Sequence, residues 1–364
     1  MSVDRHATAG TTGGRIREAV ITIGQLGEFG LIAAIGQVLP GGSWLVLGMG
    51  DDAAVVSAPG GTVVATTDML IEGRHFRREW SSAADIGRKA AARNLADVAA
   101  MGAGPTALLV GFAGPGHLPA DWVIELFGGI AAECAAVGAS VAGGDTSSAD
   151  SVLLAVTALG DLAGREPVTR GGARPGDVIA AAGTLGGAAA GLALLAAGAD
   201  VRAGTDLDDL IRAHRRPRPP YQAGPQAAAL GATSMIDISD GLVADLGHVA
   251  DASGVAMRVR SSALGAPPIA APGALRRAAA LLPGTDWLSW VLTGGDDHAL
   301  VATFDAQTDL PETWTVVGNV TEGRGVLVDD RRWEKPGGWQ HFRNLTTLRV
   351  GSNSPCHSRG EAMA

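Results

Sequence analysis

Short apolar runs alternate along this chain with longer stretches in which apolar residues recur every three or four positions, the pattern of an α/β protein. Gly27-Glu28-Phe29-Gly30 leads into a predicted helix at Leu31–Leu39 that Pro40-Gly41-Gly42 ends. Leu45–Leu47, Ala53–Val56 and Thr62–Thr67 read as strands, and Ala83–Met101 reads as a long amphipathic helix stopped by Gly102-Ala103-Gly104-Pro105. A strand at Ala107–Phe112, a helix at Asp121–Val137 and strands at Ser140–Ala142 and Ser151–Leu159 complete a first unit. The turn-rich segment Val168–Asp177 marks a junction. Beyond it come a strand at Val178–Ala182, helices at Gly187–Ala197 and Tyr221–Leu230, and a strand at Ser234–Ile238. A helix ending near Ala252, another at Gly273–Leu282 and strands at Ala299–Phe304 and Thr315–Gly318 follow. The basic, Pro-rich run His214–Pro220 reads as a solvated connector. The expected division is a polar tail at 1–20, an N-terminal α/β domain at 21–165, a C-terminal α/β domain at 166–349 and a disordered tail at 350–364.

Composition narrows the possibilities. A chain of 364 residues, 46% apolar and 18% charged, is long enough for two domains with separate cores. Its net charge of −9 argues against a nucleic-acid surface, which needs clustered Lys and Arg. Two cysteines, Cys134 and Cys356, are too few for a disulfide scaffold or a thiolate metal site. Val178–Ala199 is uncharged and long enough to span a bilayer, but Gly183-Thr184-Leu185-Gly186-Gly187 breaks it into strand, turn and helix. With no apolar leader in residues 1–20, the expectation is a cytoplasmic protein with no membrane partner.

The chemistry lies in acids set among small residues: Gly50-Asp51-Asp52-Ala53, Thr66-Thr67-Asp68, Asn94-Leu95-Ala96-Asp97, Gly143-Gly144-Asp145-Thr146, Asp237-Ile238-Ser239-Asp240-Gly241 and Gly294-Gly295-Asp296-Asp297. Any one of them is a common turn. Their repetition, mostly after apolar runs, points to oxygen ligands for a hard cation such as Mg²⁺ that carries phosphates. No Gly-x-x-x-x-Gly-Lys-Ser/Thr loop and no protein-kinase signature set is present, so charge neutralisation falls to metal ions helped by bases such as Lys89 and Arg170. Phosphoryl transfer asks mainly for in-line positioning and charge screening. An acceptor that is itself a phosphate, with a second pKa of about 6, needs no general base at neutral pH. That suits a site rich in Asp without an evident His/Asp pair.

Taken in order and spacing, these segments, with Gly27-Glu28-Phe29, Gly73-Arg74-His75-Phe76 and Thr169-Arg170-Gly171, resemble the thiamine-monophosphate kinase family of the aminoimidazole ribonucleotide synthetase-like superfamily. The likeness runs from about Gly27 to Phe342. It implies two α/β domains with mixed sheets and a homodimer formed through the N-terminal domains. The implied reaction is transfer of the ATP terminal phosphate to thiamine monophosphate, giving thiamine diphosphate in the last step of its biosynthesis. It further implies several Mg²⁺ ions held by Asp52, Thr66, Thr67, Asp68, Asp97, Asp145, Asp237 and Asp240, of which Asp52, Asp68, Asp97, Asp145 and Asp240 form the catalytic set. ATP contacts fall to Gly144, Asp145, Arg170 and Ser239, and thiamine phosphate contacts to His75, Asp296 and Trp339. Stacking a flat cationic ring on Trp is physically sound. Gly294-Gly295-Asp296-Asp297-His298 departs from the Gly-Gly-Glu-Asp-Tyr of the family, with a shorter acid at Asp296. Two other readings stand beside this one: an ATP-using relative that activates a carbonyl oxygen or selenide, and a non-catalytic nucleotide-binding regulator.

Overall fold

The computed structural model describes residues 21–47 and 54–333. Helix α1 (Ile23–Val38) starts earlier than its apolar period suggests, because Thr22 and Gln25 cap each other's backbone amides. It kinks at Gly27, where φ is +74°. Strands β1 (Leu45–Leu47) and β2 (Val55–Val56) pair antiparallel. The acid pair Asp51 and Asp52 between them lies outside the described residues, as do Trp339 and both predicted tails.

Strand β3 (Val63–Ile71) runs to helix α2 (Ala83–Ala100), followed by β4 (Gly104–Gly114), α3 (Ala120–Val137), β5 (Ser140–Ser148) and β6 (Leu153–Asp161). The four strands form one sheet in the order β3-β6-β4-β5, in which β4 and β5 are parallel and the other pairs antiparallel. Alternation gives the sheet two unlike faces. Leu70, Leu108, Val110, Phe112, Leu154 and Val156 are buried in a core with Ile86 and Leu95 of α2 and Leu126 and Ile130 of α3. The helices meet without side chains between them: a Cβ on Gly87 would lie 1.9 Å from the Leu126 carbonyl oxygen, and one on Gly129 2.3 Å from that of Ala84. The other face leaves Val63, Met69 and Leu109 exposed.

Gly143-Gly144-Asp145-Thr146, expected as a turn after a short strand, continues β5 in register with Leu109–Phe112. Likewise Asp68 stands within β3 and not at its end. In both cases pairing with a neighbouring strand, which a single segment does not reveal, extends the element through its polar residues.

The second unit contains β7 (Val178–Ala182), α4 (Gly187–Ala196), α5 (Asp206–Arg215), α6 (Ala223–Ala229), β8 (Ser234–Asp237), α7 (Leu242–Ser253) and β9 (Ala256–Val259). Then come α8 (Ser261–Leu264), α9 (Pro272–Ala280), α10 (Trp287–Thr293), β10 (Leu300–Phe304), β11 (Thr315–Thr321), β12 (Gly325–Val328) and β13 (Arg331–Arg332). Its sheet runs β13-β12-β9-β11-β7-β10-β8. Ile179, Ala181, Ile236 and Val301 face a core shared with α4, α5, α7, α9 and α10. The alternate residues Ala180, Ala182, Met235, Leu300 and Phe304 face α6 and the last turn of α2, at Ala99 and Ala100. Helix α2 therefore packs against both sheets and carries its polar face into the cleft between them. The basic run is not a solvated connector: the His214 carbonyl accepts Lys89 Nζ at 3.1 Å, and Arg216 pairs with Asp85 at the start of α2 at 2.9 Å.

Candidate active site

The cleft is built on the contact between β3 and α2. Thr66 and Asp68, two apart on β3, share the face turned toward α2, where Thr66 Oγ1 donates to Asp97 Oδ2 at 3.0 Å. The Asp68 amide donates to Asn94 Oδ1 at 3.0 Å, and Arg93 Nε donates to Asp68 Oδ2 at 3.2 Å. Asp97 lies one helical turn beyond the adjacent Arg93 and Asn94, so a single face of α2 meets three points of the strand. From the second unit, the loop before β10 brings Asp296, whose two oxygens accept Arg93 at 3.1 Å and the buried Lys89 Nζ at 2.9 Å. Asp237, at the end of β8, and Asp240, just beyond it, complete the cleft.

Burial pushes the Asp97 carboxyl up to about 7, and the negative charges of Asp237 and Asp68 add to it. Burial also works against the Asp296 carboxylate, but Lys89 and Arg93 outweigh it and hold the group well below the usual range. Burial takes His214, beside Lys89, down to about 3. His75 Nδ1 accepts the Ile71 amide at 3.0 Å, which leaves the proton on Nε2.

Two cavities meet here, of about 480 Å³ and about 590 Å³. Asp97, Asp237 and Arg170 line both. Asp68, His75, Ser239, Asp240 and Asp296 line only the first, and Thr66 only the second. Three residues expected at the site stand apart. Thr67 points to the opposite face of β3, where it is bonded to Val156 O and Thr157 Oγ1. Gly144 and Asp145 lie on β5, three strands away from β3 across the sheet. Asp145, in register with Gly111 and through it with Ala155 and Met69, shares the exposed face.

Hard oxygen donors in this number suit Mg²⁺, and the like charges that raise Asp97 are what a cation there would relieve. Among the described residues no three Asp, Glu, His or Cys side chains converge on one point. The protein oxygens come in ones and twos, the usual provision for Mg²⁺, which completes its shell with water and phosphate. The sequence motifs include Asp297 and His298 but assign them no role, and they do not reach Asp245, although all three shape the loops of the site. Asp245 accepts the Asp240 and Gly241 amides at 3.1 and 3.0 Å, and Asp297 accepts the Gly186 and Ala188 amides at 2.6 and 2.8 Å. His298 meets Asp237 at 3.0 Å. The one signal available was their position a few residues from acids already chosen.

Two mixed sheets joined by one helix, with acids from both lining the cleft, define the chain as an AIR synthase related protein. The sequence model of that family's N-terminal domain matches residues 50–162, and that of its C-terminal domain matches 174–330. The thiamine-monophosphate kinase of Mycobacterium tuberculosis is 46% identical over 322 residues, covering 88% of this chain and 93% of that one. The enzyme of Corynebacterium glutamicum is 41% identical, covering 88% and 95%. Among solved structures, the thiamine-monophosphate kinase of Stenotrophomonas maltophilia superposes with a TM-score of 0.72 at 35% identity, covering 83% of this chain and 96% of that one. AaThiL complexed with AMPPCP and TMP superposes with a TM-score of 0.71 at 33% identity, covering 87% and 98%. Within the AIR synthase related proteins, the chain belongs to the thiamine-monophosphate kinase family.

Proposed function

We propose that this protein transfers the terminal phosphate of ATP directly to the phosphate of thiamine monophosphate, giving thiamine diphosphate and ADP. The observation that carries the reading is the junction of two cavities at Asp97, Asp237 and Arg170. Two polyanions entering from either side would meet there, as in-line transfer requires. A relative 33% identical binds both an ATP analogue and thiamine monophosphate, which supports the pairing.

Mg²⁺ bound at these acids would screen the charge of the two phosphate chains. Thr66, Asp68, Asp97, Asp237 and Asp240 are placed to hold it, with Asp52 as a further ligand. Asp68 and Asp97 fix the donor set from the first unit, and Asp237 and Asp240 from the second. His75, which lines the first cavity, is assigned to the acceptor phosphate, and Trp339 to the thiamine rings. Arg170 and Ser239 are assigned to ATP. Asp296, both of whose oxygens accept from Lys89 and Arg93, serves the acceptor by holding these two cations at the cavity wall.

Asp145 and Thr67 face away from the cleft of their own chain, so we assign them, with Gly144 beside Asp145 on β5, to a homodimer. Their face of the sheet carries Val63, Met69 and Leu109 exposed, and two such faces packed together would bring β5 of one chain toward β3 of the other. No helix among the described residues is long and apolar enough to cross a membrane, and because the proposed reaction consumes ATP we assign the enzyme to the cytoplasm. The test is incubation of the pure protein with ATP, Mg²⁺ and thiamine monophosphate, following thiamine diphosphate by chromatography. Product that depends on metal and does not form from thiamine is expected. ATP binding with no product from the monophosphate would overturn the reading.

A further inference from the structure

We infer that His298 is a positioning residue for this reaction: its Nδ1–H holds the Asp237 carboxylate in the orientation that binds the metal. The inference rests on the assignment of Asp237 to a cation. The imidazole is buried, and Nδ1 lies 3.0 Å from Asp237 Oδ2. Its Nε2 is also buried and has no hydrogen-bond partner among the described residues, so the ring's hydrogen bonding is directed to that acid. The backbone is arranged to deliver it. His298 adopts φ +51° and Asp296 φ +67°, a region that side-chain-bearing residues enter at a cost. The segment is pinned alongside the acid loop by three hydrogen bonds: the Asp296 amide to Ser239 O at 2.9 Å, the His298 amide to Ile238 O at 2.9 Å and the Ile238 amide to Ala299 O at 2.8 Å. Close approach locks this further, because a Cβ on Gly295 would lie 2.3 Å from the Ser239 carbonyl oxygen. A strained residue held this firmly, with a hydrogen bond to Oδ2 of an acid that lines both cavities, fixes that carboxylate's orientation. A hydrogen bond that orients a carboxylate ligand typically governs metal affinity by about 10–100-fold.

The test is a titration of the purified protein with MnCl2, following the free aqua ion by electron paramagnetic resonance, with MgCl2 as competitor. Two variants accept the backbone conformation: H298N, which keeps a donor near the place of Nδ1, and H298G, which removes it. Metal affinity in H298N within about threefold of wild type, with a loss of about tenfold or more in H298G, is the expected result. If H298G does not fold, H298F, which fills the space without a donor, takes its place. Equal affinity in the donorless variant and wild type would overturn this assignment alone. Equal losses in both variants would show that the donor is not what matters, and no metal binding by wild type would overturn the assignment of Asp237 as well.

Discussion

Asp97 joins charge, pH and the proposed metal site in one side chain. Its carboxyl, pushed up to about 7 by burial and by Asp237 and Asp68, has a folded pKa above its unfolded value. That group therefore costs stability progressively as pH rises from about 4 through about 7, since the unfolded chain releases the proton more readily. Burial drives Asp297 to about 7 and Asp245 to about 8, so both act in the same direction. Mg²⁺ bound at Asp97, as proposed, would reverse the penalty, because only the ionised form ligates it. Below about pH 7, each unit costs up to about tenfold in affinity for a proton displaced from Asp97. The rise in melting temperature on adding Mg²⁺ should be larger at pH 8 than at pH 6, and an equal rise at both would remove Asp97 from the metal site. Asp97→Asn keeps an acceptor for Thr66 Oγ1 and removes the repulsion. Melting without Mg²⁺ at pH 8 should move up by a few degrees, on the order of 1 kcal/mol, while turnover falls at least about 100-fold. Asp68→Asn should lose turnover to a similar extent. Wild-type rates in either variant would exclude it from catalysis.

At the scale of elements, α2 does most to place the site, and its position depends on backbone contact with α3. Alanine is the better helix former by up to about 1 kcal/mol, so Gly87→Ala would stabilise an isolated helix. Here its Cβ would sit 1.9 Å from the Leu126 carbonyl oxygen, and overpacking of this kind costs about 1–3 kcal/mol. The net expectation is a loss of about 1–2 kcal/mol in denaturant unfolding. Gly247→Ala on α7, where nothing lies within 4 Å, should gain up to about 1 kcal/mol. If both changes shift stability in the same direction, close packing does not set α2. The helix itself was legible: Ser82 and Asp85 cap it reciprocally, and Gly102 follows its end. Helix α5 carries a Thr205 cap, early acids and late bases, but its last residues overlap the Pro-rich run, whose composition reads as a connector. Strand β9 was missed because four residues carry too little periodicity alone and become a strand only between β11 and β12. Asp68, Asp97 and Asp237 were legible because acid-bearing segments among small residues recur, mostly after apolar runs, and all three line the first cavity. That Thr67 and Asp145 turn to the other face depends on strand alternation and register, which motif spacing does not carry.

The whole molecule, taken as one chain, leaves that other face unexplained. Asp145 is exposed on it three strands away from Asp68, and at roughly 4.8 Å per strand the two edges lie on the order of 14 Å apart. No side-chain rotation closes that gap, so if Asp145 holds metal it does so for another chain. Strands β3 and β5 are the two edges of the sheet, so a pairing of exposed faces about a twofold axis along the strands would place β5 of each protomer near β3 of its partner. The proposed dimer makes two measurable demands. Leu109→Glu, at the middle of the exposed face, should yield a monomer by light scattering with little loss of fold and with loss of turnover. More pointedly, Asp68→Asn and Asp145→Asn should each be inactive as a pure protein. Unfolded together and refolded as a mixture, half of the dimers are heterodimers, and in each of these one site combines an intact Asp68 with the partner's intact Asp145. About a quarter of wild-type activity should then return. If Asp145 served its own chain, every site in the mixture would still lack one carboxylate and no activity would return.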